Sequence, residues 1–144
     1  MESLLPLAEK IAARLVERKE TVAVAEGSAG GLISAALLAV PGASAYFVGG
    51  AVVYTGAARG AFAGISLDEM KAQGIRPASE PYAALLAARF RERLDTTWAL
   101  AEAGAAGPSQ RTATLRTGSS DRRANMRAFA ARALELFAEQ IGAK

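Results

Sequence analysis

Two glycine-rich runs hold most of the residues that could do chemistry. The first is Glu26-Gly27-Ser28-Ala29-Gly30-Gly31 and the second is Glu102-Ala103-Gly104-Ala105-Ala106-Gly107-Pro108. Glycines at a helix start let a ligand approach free N–H groups at the positive end of the helix dipole. Gly30-Gly31 is therefore either an anion site or a tight strand–helix turn that needs positive φ. The G-x-x-x-x-G-K and G-x-G-x-x-G spacings are absent, so the run is neither a P-loop nor a dinucleotide fingerprint. It is not a nucleophile elbow, because the first glycine of G-x-S-x-G would fall on Glu26. Ser28 reads as a nucleophile or as the N-cap of the helix that follows. Glu26 reads as a group that orients a ligand or the loop amides, or as a solvated carboxylate at a strand end.

The chain of 144 residues has no histidine and no cysteine. That excludes Ser–His–Asp and Cys–His mechanisms, thiol redox chemistry, and zinc sites built on nitrogen and sulfur. Hydroxyls, carboxylates, lysine, tyrosine and backbone amides remain, since arginine keeps its proton. Lys10, Lys19, Lys71 and Lys144 sit on polar faces or at the terminus, where nothing depresses a lysine pKa for base chemistry. Arg122 stands apart from the other C-terminal arginines. It falls in the first turn of the last helix, where a cation opposes the dipole and a bound phosphate would relieve the conflict. The net charge of +3 permits a phosphate-bearing ligand. It does not indicate nucleic acid, because the arginines lack aromatic partners and a recognisable motif. No metal site and no cofactor are expected.

The elements that must position these residues alternate. Leu4, Leu5, Leu7, Ile11, Leu15 and Val16 recur near 3.6 spacing and predict an amphipathic helix ending near Arg18–Lys19. Thr21–Ala25 is a short β-branched run, a buried strand. Leu32–Val40 is a buried helix stopped at Pro41-Gly42. Ala45–Tyr54 is a strand with a bulge or close approach at Gly49-Gly50. Ala57–Ala63 and Leu67–Gln73 are short helical pieces, the second capped by Ser66. Ser79-Glu80-Pro81 opens a helix that runs to about Leu94. Thr96–Ala101 and Arg111–Thr117 are strands, and Ser119 or Ser120 caps a final helix to about Ile141. Length and alternation point to one α/β domain over residues 1–144, in three α/β/α layers with a largely parallel sheet. Ligands in such sheets bind at the carboxyl ends of the strands, where both glycine runs lie. The N-terminus is apolar in a helical pattern rather than a continuous run, so neither a signal peptide nor a membrane span is expected and the chain reads as cytoplasmic.

In these motifs the chain resembles the C-terminal domain of the competence/damage-inducible protein CinA, whose stand-alone members are nicotinamide mononucleotide deamidases. The family loop A-E-S-C-T-G-G matches Ala25–Gly31. The family segment V-P-G-S-S-x-Y-F-x-G-G-x-V-x-Y matches Val40–Tyr54. G-I-A-G-P matches Gly104–Pro108, and G-D-R matches Ser120-Asp121-Arg122. The resemblance spans nearly the whole chain and implies a mixed, largely parallel sheet. It implies hydrolysis of nicotinamide mononucleotide to nicotinate mononucleotide and ammonia: a serine attacks the carboxamide, a lysine takes its proton, and loop amides hold the oxyanion.

The chain departs from that pattern at the reacting groups. The family serine falls on Gly27, the lysine on Arg59 and a further hydroxyl on Ala103, which leaves Tyr54. An arginine is no substitute for a lysine base. Glu26, Gly30, Gly31, Gly104, Gly107, Arg122 and the cation of Arg59 remain as a candidate substrate-binding set. The expectation is a protein that binds a phosphorylated, pyridine mononucleotide-like molecule with weak or lost deamidase activity. The alternatives are an amidohydrolase using Ser28, or a non-catalytic module that oligomerises through Tyr46-Phe47-Val48, a homodimer being the default. The connection from Pro108 to Arg111 is also shorter than the family pattern, through a true deletion or a segment missing from the sequence.

Overall fold

The computed structural model describes residues 1–104 and 117–143. Gly107 and, apart from Thr117, the strand expected at Arg111–Thr117 lie outside the described residues, as does the short connection before that strand.

The chain opens with helix α1 (Leu5–Arg18), with Pro6 in its first turn and Lys19 closing it in the left-handed region at φ 56°. Strand β1 (Val22–Glu26) follows, then helix α2 (Leu32–Leu38) and strand β2 (Phe47–Val52). A short α3 (Gly56–Ala58) runs directly into a π-helical turn, Arg59–Ala63. Helices α4 (Leu67–Ala72) and α5 (Glu80–Leu94), strand β3 (Trp98–Glu102) and helix α6 (Arg122–Ile141) complete the order. Ser66 and Ser79 cap α4 and α5 through the amides of Glu69 and Tyr82.

The three described strands are parallel, in the order β2-β1-β3. The central strand is buried at every position, as expected of a strand covered on both faces. Alternate residues divide it between two cores. Val22 and Val24 join Ile11, Leu15, Ile33, Leu37 and Leu134 beneath α1, α2 and α6. Ala23 and Ala25 join Ile65, Met70, Leu86 and Phe90 on the α5 side. Each fully buried aliphatic side chain contributes roughly 1.5–3 kcal/mol by leaving water. The irregularity expected in β2 is present, because Val22 pairs with Phe47 and Ala23 with Gly49, so that Val48 is extra. Gly50 has a packing reason: a Cβ there would lie 2.6 Å from Ser34 Oγ and 3.1 Å from Val24 O. Its absence lets α2 settle on the sheet.

Three expectations need correction. Helix α2 stops at Leu38 rather than Val40. The N-cap of α6 is Asp121 rather than Ser119 or Ser120, its carboxylate accepting from Arg123 N and Ala124 N. Tyr46, expected in an oligomer surface, is 1% exposed, and its hydroxyl donates to Leu37 O.

Candidate functional site

Strands β1 and β3 both end in Ala-Glu and run in register, Glu26 beside Glu102. The parallel sheet therefore delivers two buried carboxyl groups side by side at the carboxyl end of the strands, just where the glycine runs begin. The two carboxyls do different things.

Glu26 turns forward onto the start of α2. Its Oε2 accepts from Gly31 N (2.9 Å) and Ile33 N (3.0 Å). Its Oε1 accepts from Ser34 N (2.8 Å) and Ser34 Oγ (2.6 Å). A helix leaves its first amides without intrahelical partners, and here one side chain five residues upstream supplies them. Gly31, the N-cap at φ 99°, has no side chain to do so. Gly30 is favoured by φ 65°, and Met126 Cε packs where a Cβ would lie, 2.7 Å away. The anion seat expected at Gly30-Gly31 thus has an internal carboxylate in it, and Glu26 is not a solvated strand end.

Ser28 is not the cap of α2. It is 4% exposed, and its hydroxyl donates to Gly104 O, tying the first glycine run to the second. Gly27 faces Glu102: a Cβ there would sit 3.2 Å from Glu102 O and 3.9 Å from Glu102 Oε2.

Glu102 belongs to no motif that marks it in the sequence. It turns back onto the first loop, its Oε2 accepting from Ala29 N (2.7 Å) and Gly27 N (3.1 Å). Its Oε1 is buried against Gly104. Burial pushes this carboxyl above the ordinary glutamate value of 4.5, and the Glu26 carboxylate adds to the rise. The amides of Ala29, Gly104 and Gly27 offset it in part. The signal available in the sequence was the repeated ending, Ala25-Glu26 and Ala101-Glu102, before each glycine run.

The raised pKa has a stability consequence. A group that holds its proton more tightly when folded contributes stability that is complete below its unfolded pKa and is lost as pH rises through its folded pKa. Glu102→Gln keeps an acceptor for the two amides and carries no charge. The variant is expected to melt roughly 2–6 °C above wild type at pH 8, with the gap closing by pH 4. Thermal unfolding across that range checks it, and a gap that widens toward acid would refute the assignment.

The other candidate residues fall into two separate groups. Arg59, which opens the π-helical turn, donates from Nε to Ile65 O (3.2 Å), and its charge acts on the phenol of Tyr82. Burial raises the Tyr82 pKa and Arg59 opposes that rise. Tyr54 and Arg122 form an exposed pair. Arg122 Nη2 donates to Tyr54 Oη at 3.0 Å, and its guanidinium lies 5.8 Å from the ring centroid. At the start of α6 the Asp121 carboxylate supplies negative charge to the helix end, accepting from Arg123 N and Ala124 N. The neighbouring parts of the chain reach the first loop: Met126 of α6 approaches Gly30, and a Cβ on Gly31 would lie 3.8 Å from Val52 Cγ2 at the end of β2. Among the described residues no cluster of acidic side chains could hold a metal ion, and no helix is long and apolar enough to cross a membrane.

A family profile described as the CinA C-terminal domain matches residues 4–120. A CinA-like protein of Prochlorococcus marinus is 42% identical over 102 residues, 71% of this chain and 23% of its own length. A CinA-like protein of Frankia casuarinae is 44% identical over 94 residues, 65% of this chain and 21% of its own. The chain thus spans about a quarter of the length of the curated relatives it matches. Among solved structures, the competence/damage-inducible protein CihA of Agrobacterium tumefaciens superposes with TM-score 0.78 at 25% identity, covering 96% of this chain and 95% of that one. A CinA superfamily protein of Klebsiella pneumoniae gives TM-score 0.80 at 18% identity, covering 96% and 98%, a likeness of fold.

Proposed function

This chain belongs to the CinA C-terminal domain family, and from that premise we propose that it binds a phosphorylated, pyridine mononucleotide-like molecule and turns it over weakly or not at all. The observation that carries the reading is the separation of the reacting groups. A serine hydrolase needs a hydroxyl within reach of a base. The hydroxyl of Ser28 is buried and donates to Gly104 O. At the family lysine position stands Arg59, directed to Ile65 and Tyr82, and an arginine does not replace a lysine base. Tyr54 is paired with Arg122.

Binding has better support. Arg122 is exposed at the start of α6, held by Tyr54, and its guanidinium keeps donors for a phosphate. The Tyr54 ring, 61% exposed, offers an aromatic edge to a heterocycle. Arg122→Ala is expected to weaken nicotinamide mononucleotide at least tenfold, the scale of one charge-assisted pair. Its melting temperature should stay within about 2 °C of wild type, because the side chain is exposed. Calorimetric titration of both proteins checks this. Equal affinity would remove Arg122 from the site, and no saturable binding to wild type would remove the reading itself.

A further inference from the structure

Among the described residues β2 has one strand neighbour, β1, and its other side is an edge. Two bonds fix which of its main-chain groups β1 uses: Val22 N donates to Tyr46 O at 2.7 Å and Val53 N to Glu26 O at 2.6 Å. The register between them, Val24 beside Gly50 and Glu26 beside Val52, turns the amides and carbonyls of Gly49 and Ala51 towards β1. That direction alternates along a strand, so Gly50 and Val52 turn theirs to the open side. Charged side chains and prolines are what keep such an edge from pairing with another chain. From Gly27 to Ala58 this chain has no charged residue, although 22% of its residues are charged, and the one proline there, Pro41, precedes the strand. The bulge at Val48 sits at the start of β2 and leaves Gly49–Val52 regular. Leu38, Val48, Val52 and Tyr54 are exposed in the same uncharged stretch.

A strand that pairs with this edge must offer groups that match it. Gly50 and Val52 bracket Ala51, so a two-fold axis through Ala51 sets Gly50 of each copy opposite Val52 of the other. Antiparallel residues opposed in this way exchange both N–H···O bonds, and the symmetry forms that pair twice. Ala51 then faces its own counterpart in the closer, non-bonded pair, where a methyl side chain fits. Val52 meets a residue without a side chain. A neutral surface also meets itself without like charges, whereas a charged partner would find no counter-charge on it. We propose that the open edge of β2 pairs antiparallel with β2 of a second copy of this chain, joining the two sheets into one across a two-fold axis at Ala51. The contact begins at Val48 rather than Tyr46, because Tyr46 is buried and Phe47 half-buried. The pairing does not depend on which ligand the protein takes.

Analytical ultracentrifugation and amide hydrogen exchange test the pairing. Wild type is expected to sediment as a dimer at millimolar concentration, with the amides of Gly50 and Val52 protected from exchange as those of Gly49 and Ala51 are. Val52→Pro removes one outward N–H and none that β1 uses, so the strand keeps its place in the sheet. Its dimer should dissociate at least tenfold more readily, because the symmetry removes that bond twice. Val52→Lys places a guarding charge on the same exposed position and should weaken the dimer in the same direction. In its monomer the Gly50 amide exchanges freely, while Gly49 and Ala51 stay protected by β1. A wild type that stays monomeric at millimolar concentration overturns the proposal. So does a dimer whose Gly50 and Val52 amides are unprotected, or one that neither substitution weakens.

Discussion

Glu26→Ala is expected to cost roughly 3–5 kcal/mol of stability, enough to leave much of the chain unfolded near its melting range. The substitution removes a single carboxylate but strands four donors: Gly31 N, Ile33 N, Ser34 N and Ser34 Oγ. Each buried donor left without a partner costs about 1–3 kcal/mol. Water entering the vacated space would recover part of that, which is why the sum is not simply additive. α2 is only seven residues long, too short to hold itself together without its caps and packing. Glu26→Gln retains one carbonyl oxygen and should fall between the two. Urea denaturation measures the effect as a shift in midpoint with little change in slope. A Glu26→Ala protein within about 1 kcal/mol of wild type would show that the helix start is not held by this residue.

Ammonia release from nicotinamide mononucleotide is expected to stay at the level of the uncatalysed control, and Ser28→Ala is expected to leave it there. Relative to a family member with the serine–lysine pair in place, the shortfall should be about 10³-fold or more. Gly27 has no hydroxyl. Ser28, one position along, is turned inward to Gly104 O, and exposing it would require the loop to release that contact. Even then no lysine is available, because Arg59 stands at the family position and an arginine does not replace a lysine base. Release that disappears in Ser28→Ala would mean that the loop does present this hydroxyl.

Much of the fold was legible because its signals are local. The 3.6 spacing in α1 and the serine caps of α4 and α5 came directly from residue order, as did the three described strands to within a few positions. The site was less legible, because its decisive contacts join residues far apart in the chain. Nothing near Ser28 shows that its hydroxyl meets a carbonyl 76 residues later. Ser28 does not cap α2 because an interior carboxylate, Glu26, already satisfies the amides a cap would take. Glu102 escaped notice because its importance comes from strand register. Only when β3 pairs beside β1 do the two Ala-Glu endings meet. Asp121 replaced the neighbouring serines as the α6 cap by the same chemistry, a carboxylate being an equally good acceptor one residue closer to the helix.

The most direct test of a retained pocket with lost chemistry is one calorimetric titration of wild-type protein with nicotinamide mononucleotide. Binding without turnover gives saturable heats, with the signal returning to the same baseline after every injection. Absence of saturable heat would contradict the retained pocket. A baseline displaced for as long as substrate remains would contradict the lost chemistry.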